Sequence, residues 1–296
     1  MALNNFIAEI WSDQVLESLQ KNLVYGQSTV INRNYEGDIK GKGDTVRITA
    51  FSPITVGDYD AASGLSDPET LDDASTTLTM DNDKYFNFMV DDADKAQASV
   101  NLMKSATSDA GYQLADAADV IIASLYTDAD LANLVGDDTA GIVPNTTAGT
   151  TALDYIADLK QALDESNVPL NGRWLVIPPW YLNRLIKQEA IRSDADSGST
   201  EGLRNGWCGR LYGFDVLVSN NVQTKAGSGD DAGKTNYKIM AGYPGTITFA
   251  DSVNDVEAIR PDKSFADVVR GLHVYGAKVV RTSALAVLTA RAVTGE

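Results

Sequence analysis

The stretch KYFNFMVDDADKAQA, Lys84–Ala98, changes its period in the middle, and that change decides the fold class. Up to Val90 the pattern alternates, so Phe86, Phe88 and Val90 share one face of a strand. From Ala93 onward the spacing alternates four and three: Ala96, Val100, Met103, Thr107, Ala110, Leu114, Ala117, Ile121 and Leu125 form a narrow seam. Asp91, Asp92 and Asp94 stand where carboxylates suit the positive end of a helix dipole. The spacing predicts a helix over Asp92–Tyr126, roughly 50 Å long at about 1.5 Å per residue. Gly111 costs about 1 kcal/mol against alanine and marks a candidate bend. One long helix without a second heptad segment fits a helix laid across a sheet better than a bundle.

Upstream, TVRITAF (Thr45–Phe51) alternates with period two and predicts another strand. Between it and the strand at Lys84 runs SPITVGDYDAASGLSDPETLDDASTTLTMDND, small, acidic and poor in apolar residues from Gly57 to Asp73. A loop of that length has no core of its own. The flanking strands predict a long projecting hairpin that needs a partner to be held. Further upstream, Leu3–Val24 carries Phe6, Ile10, Val15, Leu16, Leu19 and Leu23 mostly three or four apart, an amphipathic helix or arm stopped at Gly26.

Downstream the texture changes after Thr127. Ala152–Glu165 reads as an amphipathic helix, RWLVIPP (Arg173–Pro179) as a buried strand ended by prolines, and Trp180–Gln188 as a helix. GFDVLVSNN and YKIMAG read as further strands. This alternation predicts an α/β domain over about residues 135–255 inside a mixed α+β chain. A short helix around SFADVV (Ser264–Val269) and two strands, GLHVYGAKVV and ALAVLTA, follow, and are expected to return to the long helix.

Charge narrows the function. The net charge is −17 over 296 residues. Residues 1–159 hold 8 basic and 26 acidic side chains, whereas residues 160–296 hold 16 and 15. Such a field disfavours general nucleic-acid binding and docking on anionic lipid. The acidic half is either a solvated face or a surface that meets the more basic half of a neighbour. One cysteine, Cys208, excludes an internal disulfide, and one histidine, His273, excludes a multi-histidine metal site. No apolar run approaches the roughly 18 residues of a membrane span, and MALNNFIAEIWSDQVLESLQ lacks the basic start of a signal peptide.

The motifs that could carry chemistry fail one by one. SGDDAGKT (Ser228–Thr235) has Ser228 where a phosphate-binding loop needs glycine. It also puts Asp230 and Asp231 in the cradle and precedes a strand instead of a helix. GKGDT (Gly41–Thr45) is a turn before a strand. His273 lies within an alternating strand with no GxSxG elbow in the chain, so it reads as a packed or interfacial residue. The acids at Asp91/Asp92/Asp94 and Asp128/Asp130 lack the DxDxDG loop and distal glutamate of a calcium site. The reading is therefore of no catalytic, cofactor or metal residues.

The order of elements, with KYFNFMVDDADKAQA, RWLVIPPWYLNRLI, LYGFDVLVSNNV and FADVVRGLHVYGAKVVRTSALAVL, resembles the tailed-phage major capsid proteins with the HK97-like fold. The resemblance spans nearly the whole chain. It implies an N-terminal arm at residues 1–35, an extended loop at 36–90, a peripheral domain with its spine helix at 91–134 and 256–296, and an axial domain at 135–255. It implies pentamers and hexamers that close into an icosahedral shell around double-stranded DNA, held without sequence-specific binding. It also implies a separate scaffolding protein and a portal, assembly in the host bacterial cytoplasm and residence in the virion; a decoration protein is left open. Lysine–asparagine cross-linking at the loop tip is not expected, since no lysine lies between Arg47 and Lys84. The alternatives are an encapsulin-type compartment with enzyme cargo and an acidic surface-layer protein. Joined to the charge asymmetry, the resemblance predicts an intersubunit contact. Asp58, Asp60, Asp67, Glu69, Asp72 and Asp73 would face arginines of a neighbour such as Arg33, Arg260, Arg270 and Arg281.

Overall fold

The computed structural model describes residues 23–34, 43–51, 56, 73–91, 102–139, 141–144, 150–187, 209–229, 232–260 and 266–292. In chain order the strands are β1 (Thr45–Phe51), β2 (Asp73–Thr79), β3 (Asn82–Asp91), β4 (Leu134–Val135), β5 (Arg173–Ile177), β6 (Arg210–Leu211), β7 (Phe214–Val218), β8 (Thr224–Ala226), β9 (Thr235–Gly242), β10 (Ile247–Ile259), β11 (Ala266–Val279) and β12 (Ala286–Ala290). The helices are α1 (Leu102–Ser124), α2 (Ala152–Glu165) and α3 (Pro179–Lys187).

Three sheets organise them. β1 and β2 form an antiparallel ribbon, with Thr45 opposite Thr79 and Phe51 opposite Asp73. The return strand of the projecting hairpin is thus β2, not β3 as the alternation implied. DASTTLT reads as loop because its exposed positions are polar, yet Leu78 is buried. β3 instead joins β11 and β10 in a three-stranded antiparallel sheet. Its alternation holds: Phe86 and Phe88 are half-buried and Val90 buried, while Tyr85 and Met89 on the other face are 78% and 61% exposed.

The third sheet runs β4-β12-β9-β5-β7-β6, with β8 paired to β9. All five residues of β5 are buried, as a continuous apolar run between two paired neighbours requires. α2 packs its stripe Ala152, Ile156, Leu159 and Leu163 into the core. Its start is fixed by a capping box: Asp154 Oδ2 accepts from the Thr151 N–H at 2.7 Å, and Thr151 Oγ1 accepts in turn from the Asp154 N–H at 3.4 Å.

Some of these expectations need correction. β12 pairs with β9 and with β4, so ALAVLTA belongs to the α/β sheet and does not return to the long helix. Ala266–Val269 opens β11 instead of a helix, because Val268 pairs with Met89 and Val269 with Phe88; sheet pairing overrides the local pattern. Gly111 makes no break, and α1 runs through it. The arm over Leu3–Asn22, the helix entry at Asp92–Asn101, and Cys208 lie outside the described residues.

α1 lies against the long sheet and the segment 23–34. Its buried positions are Thr107, Ala110, Leu114, Ala115, Ala118, Asp119, Ile122 and Ala123. Among the described residues the expected seam holds at Thr107, Ala110 and Leu114 and then moves one residue on, from Ala117 and Ile121 to Ala118 and Ile122. The 3.6-residue turn drifts against a strict seven-residue repeat. The principal core is continuous, joining α1, α2 and the seven-stranded sheet to Ile247, Phe249, Tyr275 and Val279 of the long sheet.

Candidate functional site

A set of long-range polar contacts lies where residues 23–34, α1 and the long sheet meet. Leu23, Tyr25, Val30 and Ile31 are buried and anchor this segment. Asn32 bonds β10 on both sides: its N–H donates to the Ile247 carbonyl at 2.9 Å, and its carbonyl accepts from the Phe249 N–H at 3.0 Å. The segment thereby runs as a short parallel bridge beside Thr248.

Asp119 of α1 lies beneath it, 1% exposed. Its Oδ2 accepts from the Val24 N–H at 2.7 Å and its Oδ1 from the Gly26 N–H at 3.1 Å. Burial pushes its pKa up most strongly, and nearby Asp116 adds a smaller rise. The backbone N–H groups of Val24, Gly26 and Tyr25 pull it back, and the result is about 6 against an ordinary 3.8. The Tyr25 hydroxyl is buried beside this carboxylate, and both effects raise its pKa.

Arg33 ties the same segment to the sheet. Its Nη1 donates to the Gly26 carbonyl at 3.0 Å, and its Nη2 lies 2.7 Å from Asp251 Oδ1. The guanidinium sits 5.5 Å from the Phe249 ring centroid. The other Asp251 oxygen lies 3.2 Å from His273 Nε2. His273 is fully buried, as the packed reading of the alternating strand requires, and Asp251 favours the tautomer with its proton on Nε2.

A second contact set roots the hairpin. Gly43, at φ 87°, turns the chain into β1, and its N–H bonds the Met80 carbonyl at 3.0 Å. Ile48, Leu78 and Met80 pack against Ala250 and Val274. Gly276 allows this crossing of β11: a Cβ there would collide with the Thr79 carbonyl oxygen and stand 3.1 Å from the Met80 sulfur. The base of the hairpin is therefore held by the long sheet of its own chain.

Of the residues singled out for intersubunit contact, Asp58, Asp60, Asp67, Glu69 and Asp72 lie outside the described residues, and Asp73 opens β2 opposite Phe51. Arg33 is engaged within the chain as above. Arg270 binds Glu257 Oε2 through Nε at 2.8 Å and Nη2 at 2.5 Å, and is 55% exposed. Arg260 and Arg281 are exposed. Around Arg270 the outer face of the long sheet presents Tyr85, Met89, Leu272 and Ile259, all exposed apolar residues.

Thr235 of the SGDDAGKT segment opens β9, so a strand follows the loop, as read from sequence. The loop is tied to its surroundings by the Ser228 N–H, which donates to the Asp138 carbonyl at 2.8 Å. Among the described residues no cluster of three or more His, Cys, Asp or Glu side chains is placed to hold a metal ion, and no helix is long and apolar enough to cross a membrane. Sequence reading missed Asp119 and Asp251, because hydrophobic periodicity passes over a buried carboxylate. Both junctions fasten segments to one another; neither presents a nucleophile beside a base.

A model of the phage capsid protein family matches residues 76–288. None of the curated protein sequences matches the chain. Among solved structures, it is similar to a chain of Mycobacterium phage Che8 at 31% identity, covering 90% of each chain with a TM-score of 0.68. It is similar in fold to the capsid of Ralstonia phage GP4 at 14% identity, over 94% of this chain and 91% of that one, TM-score 0.69. A virus-like particle from Pyrococcus furiosus is also similar in fold at 14% identity, over 93% and 96%, TM-score 0.52.

Proposed function

The chain belongs to the phage capsid protein family, and from that premise we propose that it is the major capsid protein of a tailed phage, whose copies close as pentamers and hexamers around a double-stranded DNA genome. It is a shell protein of the virion with the HK97-like fold. The observation that carries the finer reading is the phage relative at 31% identity, matched over 90% of both chains. The virus-like particle is matched at 14% and supports the fold alone, so the compartment reading gains nothing specific.

The role is mechanical and has no catalytic step. Its partners are further copies of itself, a separate scaffolding protein and a portal, with assembly in the host cytoplasm. The net charge of −17 suits a wall that encloses DNA without adhering to it. The acidic stretch 57–73 crosses a neighbouring copy and faces its arginines. Arg281 is exposed for such pairing; Arg33, Arg260 and Arg270 already have interactions and would have to exchange partners. Each exposed pair contributes about 0–1 kcal/mol, so the pairs set register more than strength.

The test is expression with and without a scaffolding protein, followed by sedimentation and negative-stain microscopy. Capsomers or closed shells are expected. A sharp monomer at high concentration in both cases would overturn the proposal.

A further inference from the structure

The turn between α2 and β5 contains Asn171–Gly172. Asn171 is exposed, and its side-chain amide makes no hydrogen bond among the described residues. Gly172 stands at φ 77°, the left-handed region that suits glycine. A Cβ built there would meet nothing within 4 Å, so the space on that side of its Cα is open. Two other asparagines are guarded. Asn133 Nδ2 is held by the Ser283 and Leu285 carbonyls at 2.7 and 3.2 Å, and Asn221 Nδ2 by Asp116 at 2.7 Å. The bulky Leu134 and Val222 follow them.

We infer that Asn171 is a site of spontaneous covalent modification in the folded protein, by ring closure onto the following glycine. The Gly172 nitrogen bonds to Asn171 Cγ as the Cγ–Nδ2 bond breaks, and the displaced nitrogen leaves as ammonia with the glycine amide proton. Water then opens the cyclic imide at either carbonyl, leaving aspartate, or isoaspartate with the backbone routed through the side chain. No electrons are transferred, and water is the one co-reactant.

The location gives the change a consequence. Arg173 Nε donates to the Pro169 carbonyl at 2.9 Å and its Nη2 to the Val168 carbonyl at 2.6 Å, so the turn is held against the head of a fully buried strand. Isoaspartate adds a methylene to the backbone at residue 171, two residues before Arg173, and either product adds one negative charge per copy.

The test is incubation of the folded full chain at mildly alkaline pH. Peptide mapping by mass spectrometry resolves isoaspartate and separates this peptide from the one containing Asn205–Gly206. Urea-unfolded protein and an Asn171→Gln variant serve as comparisons. Expected are conversion at Asn171 in the folded protein at a rate comparable with the unfolded chain, a lower melting temperature in the converted fraction, and no conversion at residue 171 in the variant. Asn171 intact in the folded protein, whether or not the unfolded chain converts, overturns the inference.

Discussion

Asp119 shows how one side chain can serve a contact at the expense of its own charge. Its folded pKa of about 6 exceeds the ordinary 3.8, so between these values the folded state holds a proton that the unfolded state has released. The stability associated with this group therefore falls as pH rises from about 4 to 6 and returns on acidification. Asp138 has the opposite sign. Burial alone would raise its pKa, but hydrogen bonds from Lys225 and Lys238 outweigh that and hold it below the ordinary value. Its contribution is present at neutral pH and fades as pH falls below the ordinary carboxylate range. An Asp119→Asn variant removes the first titration and leaves the second. Relative to the variant, the natural protein should gain about 2–3 kcal/mol between pH 7 and pH 4, measured by urea unfolding across the series. A flat difference would show that Asp119 is not desolvated. At this scale the sequence was least legible, since an acid on a helix reads as solvated surface until the segment that covers it is seen.

At the scale of elements, alternation located β1 and β3 and the striped pattern located α2 to the residue. β2 was hidden by its threonines and β11's start by a helical-looking SFADVV. In both, the partner strand supplied the information that the local pattern lacked. The hairpin root is a self-contained packing unit of Ile48, Leu78 and Met80 on Ala250 and Val274. Deleting residues 57–72, with a short glycine link, spares β1, β2 and that unit. The shortened chain should keep the melting temperature of the full subunit within a few degrees and lose shell formation, read by scanning calorimetry and sedimentation. Neutralising Asp58, Asp60, Asp67, Glu69, Asp72 and Asp73 should weaken assembly less, with the greatest loss at low salt, because screening already discounts exposed pairs. Normal, equally heat-stable shells from the deletion would remove the hairpin from the assembly contact.

For the whole molecule, one core passes from the seven-stranded sheet into the long sheet. Strand existence was legible in ALAVLTA and its place was not: a strand buried at all five positions carries no face preference to choose its neighbours. Ile239, fully buried in β9 opposite Leu288, tests the coupling. Ile239→Ala should cost about 2–5 kcal/mol and lower hydrogen-exchange protection in β10 and β11 as well as in β5 and β12. Loss confined to the seven-stranded sheet would mean two independently opening units.

The position of β12 also bears on timing. It lies between β4 and β9, although every other strand of that sheet precedes it along the chain. A ribosome making this polypeptide from its N-terminus therefore exposes β4 and β9 for the whole interval before residues 286–290 emerge, with the gap between them unfilled. Surfaces that depend on the finished sheet come into being only after that late insertion. Until then the facing edges of β4 and β9 stay open to pairing with another strand.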